Sequence, residues 1–393
     1  MTGLDRPFAD SPIRLFNNIY YGKRVFVTGH TGFKGSWLCL WLKELGANVI
    51  GYSLNPPTDP NHFDLLTKRL VPAPSHPRTF VSIIGDIRER ERLIKVFCNY
   101  KPDIVFHMAA QPLVRYSYKN PVETFETNVI GTINVLEACR QTESVKAIVN
   151  ITSDKCYENR EWVWGYREND PMGGYDPYSA SKGCAELVAS SYRNSFFNPS
   201  HPLTFSPSNN SIFLASARAG NVIGGGDWAE DRLLPDIMRA VSKGEKVIIR
   251  NPNATRPWQH VLEPLSGYLM LGQKLLEGRK EFAEGWNFGP DDESNICVED
   301  MVSCVKSEWE RVDYEIRSSQ DNPHEAGFLK LDCSKAHSKL KWKPVWDIKK
   351  TLSMTARWYK GFYENGKILS LNDLAEYIKY AAKKNLVWMR QGD

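Results

Sequence analysis

The sequence predicts an α/β protein whose core is a doubly wound parallel sheet, with helices on both faces. In the first half of the chain, short runs rich in Val and Ile alternate with longer segments of helical spacing, and the runs are apolar almost throughout. Strands of that composition are typical of a sheet buried on both faces, and their alternation with helices indicates parallel pairing. The predicted strands are KRVFVTG, ANVIGYSL, RTFVSIIGD, DIVFHMAA and KAIVNITSD, and the clearest predicted helices between them are GSWLCLWLKELG and VETFETNVIGTINVLEACRQ.

The pattern changes after Tyr192. Residues 196–210 are rich in Pro, Ser and Asn and predict a surface loop, which is followed by another apolar strand in SIFLASARAGNVIG. Later segments are shorter, more aromatic and interrupted by Pro and Gly, as in a smaller capping domain. We therefore predict a first domain over residues 20–195, completed by a strand near 211–223, and a second domain over most of 196–393.

Composition excludes several classes of protein. The chain has 393 residues, of which 42% are hydrophobic and 24% charged, as in ordinary globular proteins. A net charge of +4 without a basic run argues against nucleic-acid binding. The eight cysteines are scattered, which predicts free thiols in a reducing compartment and no metal site. No apolar stretch could span a bilayer, and the N-terminal residues lack the apolar core of a signal peptide, so we expect a cytoplasmic protein without a membrane partner.

A glycine-rich turn, TGHTGFKG, follows the first predicted strand. Glycines at a strand-to-helix turn let the backbone approach a pyrophosphate, which then lies at the helix N-terminus, where free amides favour an anion. The alternative is that the glycines serve only a tight turn and helix packing, but their position at the start of a βαβ series favours a Rossmann-type dinucleotide site. The predicted cofactor contacts in this turn are Gly29, Thr31, Gly32, Phe33, Lys34 and Gly35.

The end of the second predicted strand bears on the choice of dinucleotide. Sites for NAD usually carry an acidic residue there, whereas this sequence has Ser53 and Asn55, and no arginine stands there to bind a 2′-phosphate. These positions favour NAD and leave the choice open. Asp86, after the third strand, suits a contact with the adenine edge and could equally cap the following helix.

Tyr178 and Lys182, in DPYSASKGCAEL, are four residues apart and therefore share one face of a helix. A phenol has an ordinary pKa near 10 and is a poor base at neutral pH. A neighbouring ammonium and a cationic nicotinamide ring would lower that pKa. The pair then suits removal of a proton from an alcohol while hydride leaves the same carbon. YxxxK also arises by chance, but its position after a Rossmann-like unit and a strand ending in TSD favours the catalytic interpretation.

The motifs TGxxGFxG, HMAAQP, TNVIGT, TSD and YxxxK together resemble the extended short-chain dehydrogenase/reductase family, and DCSKAHSKLKWKPVW is similar to its C-terminal signature. The resemblance implies a Rossmann domain that holds NAD and a smaller, discontinuous C-terminal domain that binds a nucleotide sugar. The further cofactor contacts that it implies are Asp86, Ile87, His107, Ala109, Ala110, Asn128, Tyr178 and Lys182.

The resemblance also assigns roles after the fifth strand. It implies that Ser153 hydrogen-bonds the reacting sugar hydroxyl, and strand alternation would then turn Thr152 the other way. The 4,6-dehydratases of the family usually carry Asp-Glu at the next two positions and the epimerases do not; this sequence has Asp154 and Lys155.

Dehydration of a sugar needs an acid and a base, which Asp154 and Lys155 could supply. Oxidation at sugar carbon 4 acidifies the hydrogen on carbon 5, and loss of water across carbons 5 and 6 needs a base and an acid. Asp154 as the acid must stay protonated, which burial favours, and Lys155 as the base must be neutral. The alternative is an ion pair at the strand end, and the departure from Asp-Glu leaves the identity of the base open.

Longer segments, among them GYSLNPPTDPNHF, TSDKCYEN, ARAGNVIGGGDWAEDRLLPD and RPWQHV, are similar to the branch of the family that acts on CDP-glucose. The resemblance implies that CDP-D-glucose is dehydrated to CDP-4-keto-6-deoxy-D-glucose, and that two long helices pair between subunits in a homodimer or homotetramer. The alternatives are a sugar-nucleotide epimerase or decarboxylase and a non-catalytic, cofactor-sensing protein. The predicted substrate contacts are Gln111, Arg115, Asn221, Arg232, Arg256, Trp258 and Asn287.

Overall fold

The computed structural model describes residues 13–70, 80–197, 211–249, 251–317 and 329–390. The predicted loop over residues 196–210 lies almost wholly outside these ranges, as do the first residues of the N-terminal segment.

Seven parallel strands form the central sheet. The strands of the described chain are β1 Arg24–Thr28, β2 Asn48–Ser53, β3 Phe80–Ile84, β4 Ile104–His107, β5 Ala147–Ile151, β6 Phe213–Ala219, β7 Val222–Ile223, β8 Val247–Ile249, β9 Thr255–Pro257, β10 Gln259–His260, β11 Gly285–Phe288, β12 Asn295–Cys297 and β13 Tyr314–Ile316. The order in the central sheet is β11-β6-β5-β4-β1-β2-β3, and each neighbouring pair is parallel. The other strands form two-stranded ladders.

Helices connect these strands and cover the sheet. Those of the described chain are α1 Phe33–Glu44, α2 His62–Leu70, α3 Arg90–Tyr100, α4 Val114–Lys119, α5 Pro121–Phe125, α6 Gly131–Arg140, α7 Pro177–Ser195, α8 Leu233–Lys243, α9 Leu262–Leu276, α10 Val298–Glu308, α11 Ile348–Asn365 and α12 Ser370–Lys383. A π-helical segment, Glu126–Ile130, joins α5 to α6 into one long run.

The predicted fold class, a doubly wound parallel α/β sheet of the Rossmann type, is confirmed. The five strands predicted in the first half are β1 to β5, and β4 and β5 are buried at every position, which is why their sequences are apolar throughout. Strand β6 lies in the predicted SIFLASARAG segment. Strand β11 was not predicted, because its four residues, GWNF, carry neither a Val/Ile run nor an alternating pattern.

A second cluster of buried side chains lies within residues 223–363 and includes Trp228, Trp258 and Trp358. The last part of the chain packs back against the first core, where the Phe16 and Trp388 rings stack with centroids 5.3 Å apart. The domain boundary near residue 195 stays a prediction. None of the helices in the described part of the chain is long and apolar enough to cross a bilayer.

Candidate active site

A continuous cavity of about 1910 Å³ opens at the carboxyl ends of strands β1 to β6. Ligands of open α/β sheets bind at this edge. Because a pocket for one small ligand usually measures roughly 300–1,000 Å³, this cavity has room for two. Its opposite wall comes from residues after β6, including helix α8.

The glycine-rich turn forms one end of the cavity. Gly29 has φ +74°, and a Cβ on it would lie 2.8 Å from the Ala109 nitrogen. A Cβ on Gly35 would collide with the Gly29 carbonyl oxygen. The turn therefore presents bare backbone at the start of α1, which fits a pyrophosphate. The predicted contacts Gly29, Thr31, Gly32, Phe33, Lys34 and Gly35 all line the cavity.

The ends of β2 and β3 form the neighbouring wall. The Thr31 hydroxyl donates to the Leu54 carbonyl oxygen over 2.9 Å and lies 2.9 Å from the Ser53 hydroxyl, so it ties the turn to β2. Asp86 and Ile87 line the cavity. Asp86 accepts a hydrogen bond from the Arg88 backbone nitrogen over 2.8 Å and pairs with its guanidinium. Asp86 thus caps the local turn, and its contact with adenine stays a prediction.

Two predicted cofactor residues lie behind the cavity wall. His107 is buried in β4, with Nδ1 2.8 Å from the Thr28 hydroxyl and Nε2 3.1 Å from the Thr132 hydroxyl. The Asn128 amide oxygen accepts from the Gln111 backbone nitrogen over 2.8 Å, and its Nδ2 donates to the Ser181 hydroxyl over 2.8 Å. Neither residue lines the cavity, and their polar atoms contact other parts of the protein, so the predicted cofactor contacts of His107 and Asn128 stay predictions. Ala109 and Ala110 do line the cavity.

Helix α7 carries the predicted Tyr-Lys pair into the cavity. The helix begins at Pro177, and the Asp176 carboxylate caps it by accepting from the Ser179 nitrogen over 3.0 Å. Tyr178 and Lys182 are 8% and 6% exposed. Both line the cavity.

The turn after β5 brings three further predicted residues to the same place. Ser153, Asp154 and Lys155 line the cavity. The Ser153 hydroxyl donates to Asp154 Oδ1 over 2.8 Å, and both residues are buried. Lys155 is half-buried. The structure therefore brings all five predicted catalytic residues together on one wall.

Burial dominates the electrostatics of this wall. It raises the pKa of Tyr178 to about 12, although a hydrogen bond with Ser153 acts in the opposite direction. Burial and then the Lys34 ammonium lower the pKa of Lys182 to about 8. Burial raises the pKa of Asp154, against the opposing effect of Lys155. In the polypeptide alone, desolvation therefore outweighs the nearby positive charges on this phenol, and the lowering of its pKa beside a nicotinamide ring stays a prediction.

The predicted substrate contacts divide in two. Gln111, Arg115, Asn221, Arg232, Arg256 and Trp258 line the cavity. Arg232 Nη1 donates to Asp227 Oδ2 over 2.8 Å, and Arg115 Nη1 donates to Asp231 Oδ1 over 3.0 Å. Trp258 is 7% exposed and belongs to the second cluster of buried side chains, so it packs in that core as well as lining the cavity.

Asn287 is the predicted substrate contact that does not line the cavity. It is fully buried in β11, outside the cavity. Its Oδ1 accepts from the Tyr157 hydroxyl over 2.7 Å, and its Nδ2 donates to the Tyr166 carbonyl oxygen over 2.8 Å. The protein uses both ends of the amide, and the contact of Asn287 with a substrate stays a prediction.

Sequence reasoning missed several buried polar residues near the site. Glu186 and Arg218 form an ion pair of 2.9 Å behind β5, and Asp227 is buried in the cavity wall. The position of Glu186, four residues after Lys182, was a usable signal, since it continues the buried face of α7.

All eight cysteines are free thiols. Among the described residues, no group of three or more His, Cys, Asp or Glu side chains could hold a metal ion.

A family model described as GDP-mannose 4,6 dehydratase matches residues 26–355. The chain is 54% identical over 363 residues to the CDP-glucose 4,6-dehydratase of Salmonella typhimurium, which covers 92% of this chain and 98% of that protein.

Two solved structures share the fold. An epimerase of Methanothermobacter thermautotrophicus has a TM-score of 0.73 at 24% identity, over 89% of this chain and 95% of that one. The dTDP-glucose 4,6-dehydratase of Bacillus anthracis, solved in complex with NAD, has a TM-score of 0.69 at 20% identity, over 87% and 99%. The match over most of the sequence, together with the shared fold, shows that this chain belongs to the GDP-mannose 4,6 dehydratase family, within the extended short-chain dehydrogenases/reductases that its motifs resemble.

Proposed function

We propose that the chain converts CDP-D-glucose to CDP-4-keto-6-deoxy-D-glucose, with NAD as its cofactor. The observation that carries the proposal is the buried carboxyl group of Asp154, which lies beside Ser153 on the same wall as Tyr178 and Lys182. An alcohol-oxidising pair is sufficient for an epimerase, whereas elimination of water also needs an acid. The close relative named for the CDP-glucose reaction supports this substrate.

Oxidation at carbon 4 depends on Tyr178. Its phenol oxygen takes the proton of the carbon 4 hydroxyl, which the Ser153 hydroxyl orients by a hydrogen bond. The Lys182 ammonium, on the same helix face, favours the phenolate that this transfer requires. The turn from Gly29 to Gly35 would hold NAD, which would supply the hydride acceptor for carbon 4 and the hydride donor for carbon 6.

Elimination depends on the turn after β5. Lys155 takes the proton from carbon 5, and protonated Asp154 gives its proton to the departing carbon 6 hydroxyl. One water molecule leaves, and Lys155 returns a proton to carbon 5 when hydride reaches carbon 6. Asp154 suits its part because burial raises its pKa and favours the acid form.

Product analysis tests the proposal. The protein is incubated with CDP-glucose, UDP-glucose and dTDP-glucose, each with and without added NAD, and the products are weighed by mass spectrometry. We expect CDP-glucose to lose one water most rapidly. An unchanged mass with a changed sugar configuration would indicate an epimerase, and failure of all three substrates to lose water would refute the dehydratase.

Lys155→Ala tests the assignment of the base. We expect kcat to fall by about 10²- to 10⁴-fold, the usual contribution of a general base, while carbon 4 is still oxidised. The sugar would then stop as the 4-keto form that retains its carbon 6 hydroxyl, which mass spectrometry detects.

Lys243→Ala is the matched control, because Lys243 also lines the cavity but lies on α8 and is exposed. Comparable losses of kcat in both variants would show that removing any positive charge from the cavity is sufficient, and that Lys155 has no specific role as the base. Normal turnover of Lys155→Ala would move the base elsewhere.

We also propose that two copies associate through the helices α5, α6 and α7. These helices contact one another within one chain and form a helical layer. On this layer Val122, Ile130 and Leu187 are 69%, 49% and 61% exposed. Apolar side chains at such exposure favour a self-complementary interface.

Leu187→Glu would place a charge in that interface. We expect the variant to sediment as a smaller species than the wild type in analytical ultracentrifugation, with an unchanged circular dichroism spectrum. Identical sedimentation would place any interface elsewhere, and the exposed Val163→Glu variant, outside this helical layer, serves as the control.

A further inference from the structure

A buried ion pair lies directly behind the strand end that carries Ser153. The Glu186 carboxylate accepts a hydrogen bond from Arg218 Nη2 over 2.9 Å through Oε2, and from the Thr152 hydroxyl through Oε1. The side chains of Glu186 and Arg218 are 4% and 6% exposed. Both carboxylate oxygens are therefore used inside the protein, away from solvent.

The fold explains why these three residues meet. Strands β5 and β6 run parallel with Ile151 beside Ala217, and the Thr152 nitrogen donates to the Ala217 carbonyl oxygen over 2.9 Å. Because side chains alternate along a strand, Thr152 points to α7 and Ser153 points to the cavity. On α7, Glu186 follows Lys182 by four residues and so continues the same helix face.

Arg218 extends the network towards the second part of the chain. Its Nη1 donates to the Tyr157 hydroxyl over 2.6 Å and to the Glu168 carbonyl oxygen over 3.0 Å. The Tyr157 hydroxyl donates to Asn287 Oδ1, and Asn287 Nδ2 donates to the Asp332 carbonyl oxygen over 3.1 Å. The network thus holds both ends of the Ser153–Asp154–Lys155 turn, through Thr152 and Tyr157.

We propose that Glu186 is a positioning residue for oxidation at carbon 4: by joining Thr152 and Arg218 to α7, it sets the separation between the Ser153 hydroxyl and the Tyr178 phenol. The inference rests on the function proposed above. A misplacement of about 1 Å is enough to cost roughly 10²-fold in rate, so the effect falls on turnover more than on substrate binding.

The charge of Glu186 has a second consequence. The titratable and charged groups around the Lys182 ammonium are Lys34 from α1, His107 from β4, Cys156 from the turn after β5, and Tyr178 and Glu186 from α7. Glu186 favours the ammonium form and so raises the pKa of Lys182, while burial and Lys34 lower it. Removal of this negative charge is expected to let Lys182 lose its proton at a lower pH.

The test compares Glu186→Gln with Asp373→Asn. Asp373 is also fully buried and pairs with an arginine, Arg357, over 2.6 Å, but it lies on α12 outside the cavity. We expect kcat of Glu186→Gln to fall about 10²-fold with little change in KM, and the alkaline limb of its pH–kcat profile to move to lower pH. Asp373→Asn is expected to lose thermal stability but to keep the wild-type profile.

Thr152→Val keeps the ion pair between Glu186 and Arg218. It tests the positioning role even if Glu186→Gln does not fold. We expect a smaller fall in kcat and an unshifted pH profile, because only the hydrogen bond to the strand is lost. Normal kcat in Thr152→Val and in any folded Glu186→Gln would overturn the proposal, as would an equal effect of Asp373→Asn.

A readout without catalysis separates this inference from the proposed function. Hydrogen exchange of the peptides covering residues 150–157 is expected to speed up in Glu186→Gln and Thr152→Val and to stay unchanged in Asp373→Asn. A wild-type protein that dehydrates none of the sugar nucleotides contradicts the function, whereas unchanged exchange in the first two variants contradicts the positioning role.

Discussion

Replacement of Tyr178 by phenylalanine is expected to lower kcat by about 10²- to 10⁴-fold, the range that general acid–base catalysis usually contributes. The phenol oxygen is the atom that takes the carbon 4 proton, and phenylalanine keeps the ring but removes that oxygen. KM should stay within a few-fold, because the ring still lines the cavity. Single-turnover absorbance of the reduced cofactor is expected to show no oxidation of the sugar.

Tyr175→Phe is the control for this variant, since Tyr175 also lines the cavity but is 87% exposed. Its kcat should match the wild type. If Tyr178→Phe still reduced the cofactor at the normal rate, another group would have to take the proton, and the assigned role of α7 would be lost.

Replacement of Asp154 by asparagine is expected to lower kcat by about 10²- to 10⁴-fold while leaving oxidation intact. Asparagine has nearly the same shape and can accept the hydrogen bond from Ser153, but it cannot give a proton to the departing hydroxyl. Reduced cofactor and the 4-keto sugar should therefore accumulate. In the wild type, burial raises the pKa of Asp154, so its acid form is lost only as the pH rises through that raised value.

Asp59→Asn changes a carboxylate on another part of the cavity wall and should dehydrate normally. Fast elimination in Asp154→Asn, with no reduced cofactor detectable, would show that a different acid protonates the leaving group.

Features set by local spacing could be predicted from the sequence. The glycine turn follows β1 directly, and Tyr178 and Lys182 share a helix face because they are four residues apart. The strands β4 and β5 were recognisable because they are buried at every position, which favours continuous apolar runs.

Features set by neighbours distant in sequence could not be predicted. His107 follows an apolar strand and suits a ligand contact, but Thr28 on β1 lies beside it in the parallel register and accounts for one ring nitrogen. The Asn287 amide hydrogen-bonds Tyr157 and Tyr166, which are more than a hundred residues away in the chain. The partner of Glu186 is Arg218 on β6. This pairing could not be predicted, because only the sheet order shows that β6 lies beside β5.

The raised pKa of Tyr178 in the polypeptide alone could not be predicted for a related reason. The sequence shows the neighbouring lysine but not the degree of burial, and desolvation is the largest effect on this phenol. Burial similarly governs Asp154, where it acts in the direction that the sequence predicted.

The most direct test of the central claim follows the hydrogens of the sugar. CDP-glucose labelled with deuterium at carbon 4 is converted in ordinary water, and unlabelled CDP-glucose is converted in heavy water, and the product is examined by NMR. Internal redox with elimination predicts that the carbon 4 deuterium reaches carbon 6 and that solvent deuterium enters at carbon 5. Solvent deuterium at carbon 6 in place of the carbon 4 label would contradict it.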